Sequence, residues 1–161
     1  MTIQIRHLEQ ADLSDIATIY SFTSVNENTS QLPYINSTTV EHLFSNSNNY
    51  TLVAELDGKV VGHITLILST KPREKHSATI AIAVHPERQG QGIGKHLMQN
   101  AIDQADNWLN LTRLELEVFP DNQAAIALYD QLGFEREGEK RCCTFKNGKL
   151  ANIVMMARLK L

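Results

Sequence analysis

A glycine-rich stretch is the part of this chain whose composition is best suited to hold a ligand. It lies between an apolar run that ends at Val84 and an amphipathic run that begins at Ile93, and its three glycines are Gly90, Gly92 and Gly94. Because glycine has no Cβ, backbone N–H groups in such a turn can approach a bound group closely. At the start of a helix, free N–H groups and the helix dipole attract anions. The stretch therefore predicts a pyrophosphate cradle, with Arg88 and Lys95 adding positive charge.

Two other glycine-containing motifs that bind nucleotides do not match the residue spacing of this stretch. A Walker loop requires Ser or Thr after its Gly-Lys pair, but Gly94-Lys95 is followed by His96. A dinucleotide fingerprint requires a third glycine where Lys95 or Leu97 stands, and it follows a first strand, whereas this loop follows the fourth. A strand-to-helix turn without a ligand stays open as the alternative.

The spacing Gln89-x-x-Gly92-x-Gly94 resembles the acetyl-CoA signature of the GNAT family of N-acetyltransferases. Two other stretches are also similar to that family. The run from Ile82 to Pro86 resembles its fourth strand, and the run from Asn122 to Gly133-Phe134 resembles its second signature. The resemblance in the order of elements extends over essentially all 161 residues.

The resemblance implies acetyl-CoA as co-substrate and assigns residues to each part of it. Backbone N–H groups at the end of the fourth strand would bind the pantetheine arm and polarise the thioester carbonyl, loop amides would hold the pyrophosphate, and an asparagine would hydrogen-bond the arm. The cofactor-binding residues expected on this basis are Ile82, Ala83, Val84, Gln89, Gly90, Gln91, Gly92, Ile93, Gly94, Lys95 and Asn122.

The resemblance also implies that Tyr129 is the general acid of acetyl transfer. A phenol with a pKa near 10 stays protonated at neutral pH, so it can give a proton to the departing thiolate. The alternative for Tyr129 is core packing, because it shares a helical face with Ile126 and Leu132.

Glu117 is the candidate base that removes a proton from the amine. It lies five positions before Asn122, a spacing that resembles the catalytic glutamate of protein N-terminal acetyltransferases. The alternative is a carboxylate on the solvent face, like Glu115. His63 and His76 are rival bases on predicted strands, and a water chain could also serve because ~10% of an α-amine with a pKa near 8 is already neutral at pH 7.

The acceptor is expected to be a small primary amine, most simply the α-amino group of a free amino acid. The motif Asn28-Thr29-x-Gln31-x-Pro33, together with Asp106-Asn107-Trp108, looks like the bacterial branch that acetylates free amino acids. A protein N-terminal (ribosomal-protein type) acetyltransferase is the second interpretation. A non-catalytic acetyl-CoA-binding sensor is the third, and the presence of Tyr129 weighs against it.

Several side chains could complete an acceptor pocket between the long polar segment and the last two strands. Phe22, Tyr34 and Phe145 could form an apolar wall, and Arg73 or Arg141 could bind a substrate carboxylate.

Hydrophobic periodicity predicts the elements that must position these residues. Helices are expected over 12–20, 38–45, 93–108 and 122–132. Strands are expected over 3–6, 51–56, 59–68, 76–84 and 114–118, with two more around the Asn147-Gly148 turn. Asp12 is a candidate cap for the first helix, and the segment 21–36 reads as a long loop.

This order of elements mixes hairpins with helical crossovers, which predicts an α/β fold with a mixed sheet covered on both faces. The resemblance implies a mostly antiparallel central sheet of about six or seven strands flanked by about four helices. A length of 161 residues fits a single domain, 1–161, with no need for a metal or disulfide staple.

Composition and charge exclude several classes of partner. The formal charge of −3 gives no general attraction to nucleic acid or to an anionic membrane. No apolar run reaches the ~20 residues of a membrane span, and Met1 to Gln10 lack a signal-peptide pattern, so we expect a cytoplasmic protein. No metal site is expected, and Cys142 and Cys143 would point to opposite faces of a strand. The expected partner is a small amine, and a homodimer is left open.

Overall fold

A computed structural model describes residues 2–161. These residues form seven strands and five helices, joined by turns and loops. The strands are β1 (Gln4–His7), β2 (Asn49–Leu56), β3 (Lys59–Leu68), β4 (Ser77–Val84), β5 (Arg113–Val118), β6 (Glu135–Lys146) and β7 (Lys149–Leu159). The helices are α1 (Leu13–Ile19), α2 (Thr23–Glu27), α3 (Ser37–Phe44), α4 (Ile93–Asn107) and α5 (Gln123–Gln131). Single 3₁₀ turns lie at Gln10–Asp12, Pro72–Glu74 and Pro86–Arg88.

All seven strands belong to one mixed sheet in the order β1-β2-β3-β4-β5-β7-β6. Only β4 and β5 run parallel, because the chain between them crosses over through α4. Their pairing covers only three residues of each strand and ends at Thr79 and Glu115. The expectation of a mixed, mostly antiparallel sheet is confirmed.

Helices cover both faces of the sheet. On one face, the apolar side of α4 supplies Leu97 and Met98 to the larger core, which also takes in Tyr129 of α5. On the other face, Ile16 of α1 and Val40 of α3 belong to a second, smaller core. Side chains of a strand alternate between faces, so β4 contributes to both cores.

Two hairpins are closed by the turn residues that the sequence predicts. Asp57 and Gly58 have φ values of 52° and 77°, and Asn147 and Gly148 have 51° and 75°. Positive φ at both central positions defines a type I′ turn, whose twist matches that of the flanking strands.

The segment predicted as one long loop contains a short helix, so that expectation is wrong in part. α2 forms over Thr23–Glu27 and buries Val25 and Asn26. Five residues are too few for helical periodicity to be visible, and tertiary packing rather than intrinsic propensity stabilises such a short helix.

Asp12 does not cap the first helix, although the sequence suggested that it would. Its carboxylate accepts two hydrogen bonds from the guanidinium of Arg6, at 2.8 and 2.9 Å, and a third from the backbone N–H of Glu9 at 2.8 Å. Arg6 also reaches Glu55 on the neighbouring strand at 3.3 Å. The pair therefore ties the first turn of helix to the edge of the sheet.

β6 is an irregular edge strand. Its pairing with β7 shifts register twice, between Arg136 and Gly138 and between Lys140 and Thr144. Cys142 lies in the second irregularity with a φ of 51°, so the simple alternation expected for Cys142 and Cys143 does not apply there. Both thiols are free and exposed.

Within residues 2–161, no helix is long and apolar enough to cross a membrane. In the same residues, no three side chains of His, Cys, Asp or Glu are grouped as metal ligands would be.

We expect Asp12→Asn to lower the free energy of unfolding by about 2 kcal/mol at pH 7, because a paired and largely buried charge loses its hydrogen bonds. Arg6 lowers the pKa of Asp12, so the stabilisation is present above the unfolded-state pKa near 4 and is lost as the pH falls through the lower folded-state value. The difference from wild type should shrink accordingly in urea unfolding below about pH 4. Glu55→Gln, at the longer and more exposed contact, is the control and should cost less. Equal wild-type and Asp12→Asn stability at pH 7 would contradict this account.

Candidate active site

A cavity of about 420 Å³ opens where β4 and β5 separate. Beyond Thr79, β4 keeps its pairing with β3 but has no partner on the β5 side, so alternate backbone N–H and C=O groups of Ile80 to Val84 are free. The volume is in the range of small-molecule sites. The residues that line it come from β4, the glycine loop, α4, α5 and the α2 region: Ser24, Val25, Asn28, Thr29, Ile82, Ala83, Val84, Arg88, Gln89, Gly90, Gly92, Ile93, Gly94, Lys95, Asn122, Ala124, Ala125, Leu128 and Tyr129.

The glycine loop, residues 89–94, has a backbone conformation at two of its positions that favours glycine. Gly90 and Gly92 have φ values of 78° and 82°, in the left-handed region, and Gly92 is the N-cap of α4 with no side-chain cap bond. Gly94 has no such backbone constraint, and a Cβ there would meet the protein only at 3.9 Å, against Leu128. The protein itself therefore leaves room beside Gly94, on the cavity side. The backbone around the first turn of α4 fits the approach of a phosphate group.

The charge in the cavity is positive. Arg88 and Lys95 line it, no ion pair engages either of them within residues 2–161, and no Asp or Glu of that range is in the lining. Gln89 shapes the loop by donating from Nε2 to the carbonyl of Val84 at 3.3 Å. The loop end of the cavity is thus suited to a polyphosphate.

Tyr129 lies on α5 and lines the same cavity as the glycine loop residues. It is 7% exposed, and burial raises its pKa to about 12. Within residues 2–161, its phenol oxygen is not a buried atom without a hydrogen-bond partner. The residue itself lines the cavity. A neutral O–H is therefore available at the cavity wall at any physiological pH.

The end of α5 fixes the position of Tyr129. Gly133 has a φ of 90°, and its N–H donates to the carbonyl of Asp130 at 3.2 Å. The N–H of Phe134 donates to the carbonyl of Tyr129 at 3.0 Å, which completes a Schellman motif. The two aromatic rings pack with their centroids 6.0 Å apart. At the other end of the helix, Asn122 accepts from the N–H of Ala125 at 3.4 Å, as the sequence suggested.

Two predicted site residues lie outside the cavity lining. Gln91 is exposed in the loop, between glycines that do line it. Glu117 is exposed on the sheet face opposite the larger core, and it accepts a hydrogen bond from Lys140 Nζ at 2.8 Å. The structure does not bring Glu117 and Tyr129 together in this cavity.

The two histidines proposed as rival bases differ in their surroundings. His63 is 1% exposed, and burial lowers its pKa to about 3. Tyr20 Oη lies 2.7 Å from its Nε2, and Thr65 Oγ1 lies 3.3 Å from its Nδ1. His63 is therefore a neutral member of a buried network rather than a base open to substrate. His76 is exposed and precedes β4, at the end of the strand away from the cavity.

The residues suggested for an acceptor pocket are only partly brought together. Asn28 and Thr29 line the cavity, whereas Tyr34 is fully exposed and Phe145 is 71% exposed. Phe22 packs edge-on against His85, with ring centroids 4.8 Å apart. The apolar wall of three aromatic residues is therefore not formed. The two arginines suggested as carboxylate ligands, Arg73 and Arg141, are exposed and outside the lining.

The polar segment 20–36 was expected to border the acceptor pocket, but its helix α2 and the two residues by which that helix lines the cavity were not predicted. Ser24 and Val25 line it, next to Asn28 and Thr29, which the motif did indicate. The only signal in the sequence was an isolated valine in a polar segment. Ala124, Ala125 and Leu128 were also missed as lining residues, although they fall on the predicted helix that carries Tyr129.

Comparison with known proteins adds four findings, a family match, a relative and two solved structures. The family described as "Acetyltransferase (GNAT) family" matches residues 7–134. An L-amino acid N-acetyltransferase of Escherichia coli (strain K12) is 38% identical over 159 residues, covering 98% of both chains.

Solved structures are similar over nearly the whole chain. A ribosomal-protein-alanine N-acetyltransferase from Brucella melitensis has a TM-score of 0.87 at 27% identity and covers 98% of this chain and 99% of its own. A spermidine N-acetyltransferase from Vibrio cholerae, in complex with CoA and spermine, has a TM-score of 0.87 at 28% identity, covering 98% and 95%.

Proposed function

The chain belongs to the acetyltransferase (GNAT) family and is an N-acetyltransferase, and we propose that it transfers an acetyl group from acetyl-CoA to the α-amino group of a free amino acid. One observation carries this proposal. A single cavity joins the glycine loop, the unpaired edge of β4 and the phenol of Tyr129, and the residues Asn28 and Thr29 line it as well.

The loop is proposed to hold the acidic end of acetyl-CoA. GNAT acetyltransferases use acetyl-CoA, which supplies an activated acetyl thioester. The N–H groups of the loop and of the first turn of α4 would bind the pyrophosphate, supported by the charges of Arg88 and Lys95. Asn122 at the start of α5 is suited to hydrogen-bond the amides of the pantetheine arm.

The free edge of β4 is proposed to bind and polarise the carbonyl of the thioester. An extended arm can pair with an unpaired strand edge as an additional strand would. A backbone N–H of Ile82 or Val84, the residues whose N–H groups face the β5 side, would stabilise the negative charge that develops on the carbonyl oxygen when the amine attacks.

Tyr129 is proposed as the general acid. The new C–N bond forms as the C–S bond breaks, and the leaving thiolate needs a proton. A buried phenol that stays neutral can donate it, and the Schellman motif keeps the ring against the cavity wall.

Glu117 is proposed as the base that takes the proton from the amine, directly or through water. Its support is its place on β5, immediately beyond the last residue that pairs with β4 on the same face, Glu115. Its neighbours Leu116 and Val118 face the core that α4 covers, so Glu117 and its ion pair with Lys140 lie on the opposite face of the sheet.

Two features favour an amino acid over a polyamine as acceptor. The relative at 38% identity is named an L-amino acid N-acetyltransferase. Within residues 2–161, the cavity lining carries no carboxylate that could bind the several positive charges of a polyamine. The second candidate is a protein N-terminal acetyltransferase, favoured by the position of Glu117 and by the similarity to the Brucella melitensis enzyme.

Tyr129→Phe should lower kcat by about 100-fold, the usual contribution of a general acid, and leave the Kd of acetyl-CoA within about twofold of wild type. The substitution removes one hydroxyl, so the ring packing on Phe134 survives. Steady-state kinetics and calorimetry give the two numbers. Tyr34→Phe removes the same hydroxyl from a fully exposed ring and should change neither. Full turnover by folded Tyr129→Phe would leave the residue with a packing role only.

Glu117→Gln should move the acidic limb of the kcat/KM profile up to the pKa of the amine, so the loss is greatest below pH 7, where neutral amine is scarce. The expected loss is on the order of 10²-fold at the acid end. The pH–rate profile is compared with that of Glu115→Gln, which makes the same change two residues away on the same face. If both variants keep the wild-type profile, Glu117 is not the base.

The acceptor is identified by thiol release from acetyl-CoA in the presence of amino acids, their amides, dipeptides and spermidine. Faster turnover of free amino acids than of their amides is the expected result. Preference for peptides with a free N-terminus would favour the protein-modifying alternative, and preference for spermidine would refute the amino-acid proposal. Acetyl-CoA binding without turnover of any amine would indicate a sensor.

A further inference from the structure

We propose that Val25 restricts the acyl group accepted by this enzyme to two carbons, so that acetyl-CoA is used in preference to propionyl-CoA and longer acyl thioesters. The inference rests on the proposed function, because it concerns the group that is transferred at the free edge of β4.

Val25 forms a fixed part of the cavity wall. It is 4% exposed, lines the cavity and donates its backbone N–H to the carbonyl of Phe22 at 3.0 Å. The next residue, Asn26, donates from Nδ2 to the carbonyl of Tyr20 at 3.0 Å, at the end of α1. Because the bond of Asn26 is buried and holds α2 on the end of α1, Val25 cannot withdraw without breaking it.

Ala83 forms the neighbouring part of the wall. It lies on the part of β4 that has no partner on the β5 side, and it belongs to the same apolar cluster as Val25. Its neighbours Ile82 and Val84 pack instead against the core on the opposite face of the sheet. On the α2 side, the apolar part of the cavity wall therefore consists of the methyl group of Ala83 and the branched side chain of Val25, beside the polar residues Ser24, Asn28 and Thr29.

The sheet beneath Ala83 is rigid. Its cross-strand partner is His63, whose two ring nitrogens are engaged by Tyr20 and Thr65. The ring of Phe44 packs edge-on against the same imidazole at 4.8 Å between centroids. Moving His63 aside to make room would break a buried polar network, which is costly because the freed groups find no water.

A longer acyl chain must therefore compete with the side chain of Val25. An acyl group whose carbonyl oxygen binds at the edge of β4 would have Ala83 and Val25 as its apolar neighbours on this side of the cavity, so a further methylene would compete with Val25 for space. A well-packed apolar pocket discriminates one methylene by about tenfold or more.

The test compares Val25→Ala with Val40→Ala. Val40 is a buried valine of the same apolar cluster that does not line the cavity, so it controls for the loss of core volume. Two ratios are measured for each protein: kcat/KM for acetyl-CoA over propionyl-CoA with one amine, and the ratio of their Kd values by calorimetry without any amine. Val25→Ala should lower the preference for the acetyl thioester by about tenfold, and Val40→Ala should leave it unchanged.

A second variant keeps the test decisive if Val25→Ala does not fold. Val25→Ile adds one carbon to the wall and should weaken binding of acetyl-CoA while leaving the Kd of CoA itself unchanged. Unaltered ratios in Val25→Ala and unaltered acetyl-CoA affinity in Val25→Ile, or equal changes in Val40→Ala, would overturn the proposal. Because the calorimetric ratios need no turnover, they separate a failure of this inference from a failure of the proposed reaction.

Discussion

The early parting of β4 from β5 is the constraint on which the site depends. The two parallel strands pair over three residues, after which each keeps only its other neighbour, β3 for β4 and β7 for β5. An unpaired strand edge inside a protein leaves backbone donors and acceptors without partners. The same gap makes room for a ligand and supplies polar groups that the ligand can satisfy. A full-length pairing of these strands would remove the cavity and its hydrogen-bonding edge together.

Two helix ends meet this gap, and each is shaped by a glycine. At the start of α4, Gly92 turns the chain through the left-handed region and leaves the first N–H groups without a side-chain cap. At the end of α5, Gly133 also turns the chain through the left-handed region, in the Schellman motif that holds Tyr129 against Phe134. One end presents positive potential to the cavity, and the other fixes the position of the phenol of Tyr129. The opposite face of the sheet contributes stiffness through the bonds of His63 to Tyr20 and Thr65.

The sequence predicts most of this framework because its signals are local. The turn dipeptides Asp57-Gly58 and Asn147-Gly148, the apolar stripe of α4 and the glycine loop depend on neighbouring residues, and they lie where the patterns indicate. The cofactor-binding residues predicted from those patterns also line the cavity, except for Gln91 in the loop.

The features that were missed depend on distant contacts. α2 is too short to show a period, and its Val25 packs in an apolar cluster with Val53 and Ala83 of the sheet. Aspartate is a residue type that favours N-cap positions, but the carboxylate of Asp12 accepts two hydrogen bonds from Arg6 on β1 instead. Tyr34 and Phe145 are aromatic residues in suitable segments, yet their side chains turn to solvent. A single sequence contains no information on such convergence.

The irregular edge strand β6 has a consequence for how copies of the protein meet one another. An open strand edge can template further strands and so start uncontrolled polymerisation. Here the two register shifts interrupt the ladder that an incoming strand would need to follow. The strand also carries seven charged side chains, namely Glu135, Arg136, Glu137, Glu139, Lys140, Arg141 and Lys146. A molecule that approached this edge would have to remove water from these charged side chains. Strand-by-strand fibre growth is therefore blocked at this side of the sheet, where the hairpin of β6 and β7 lies.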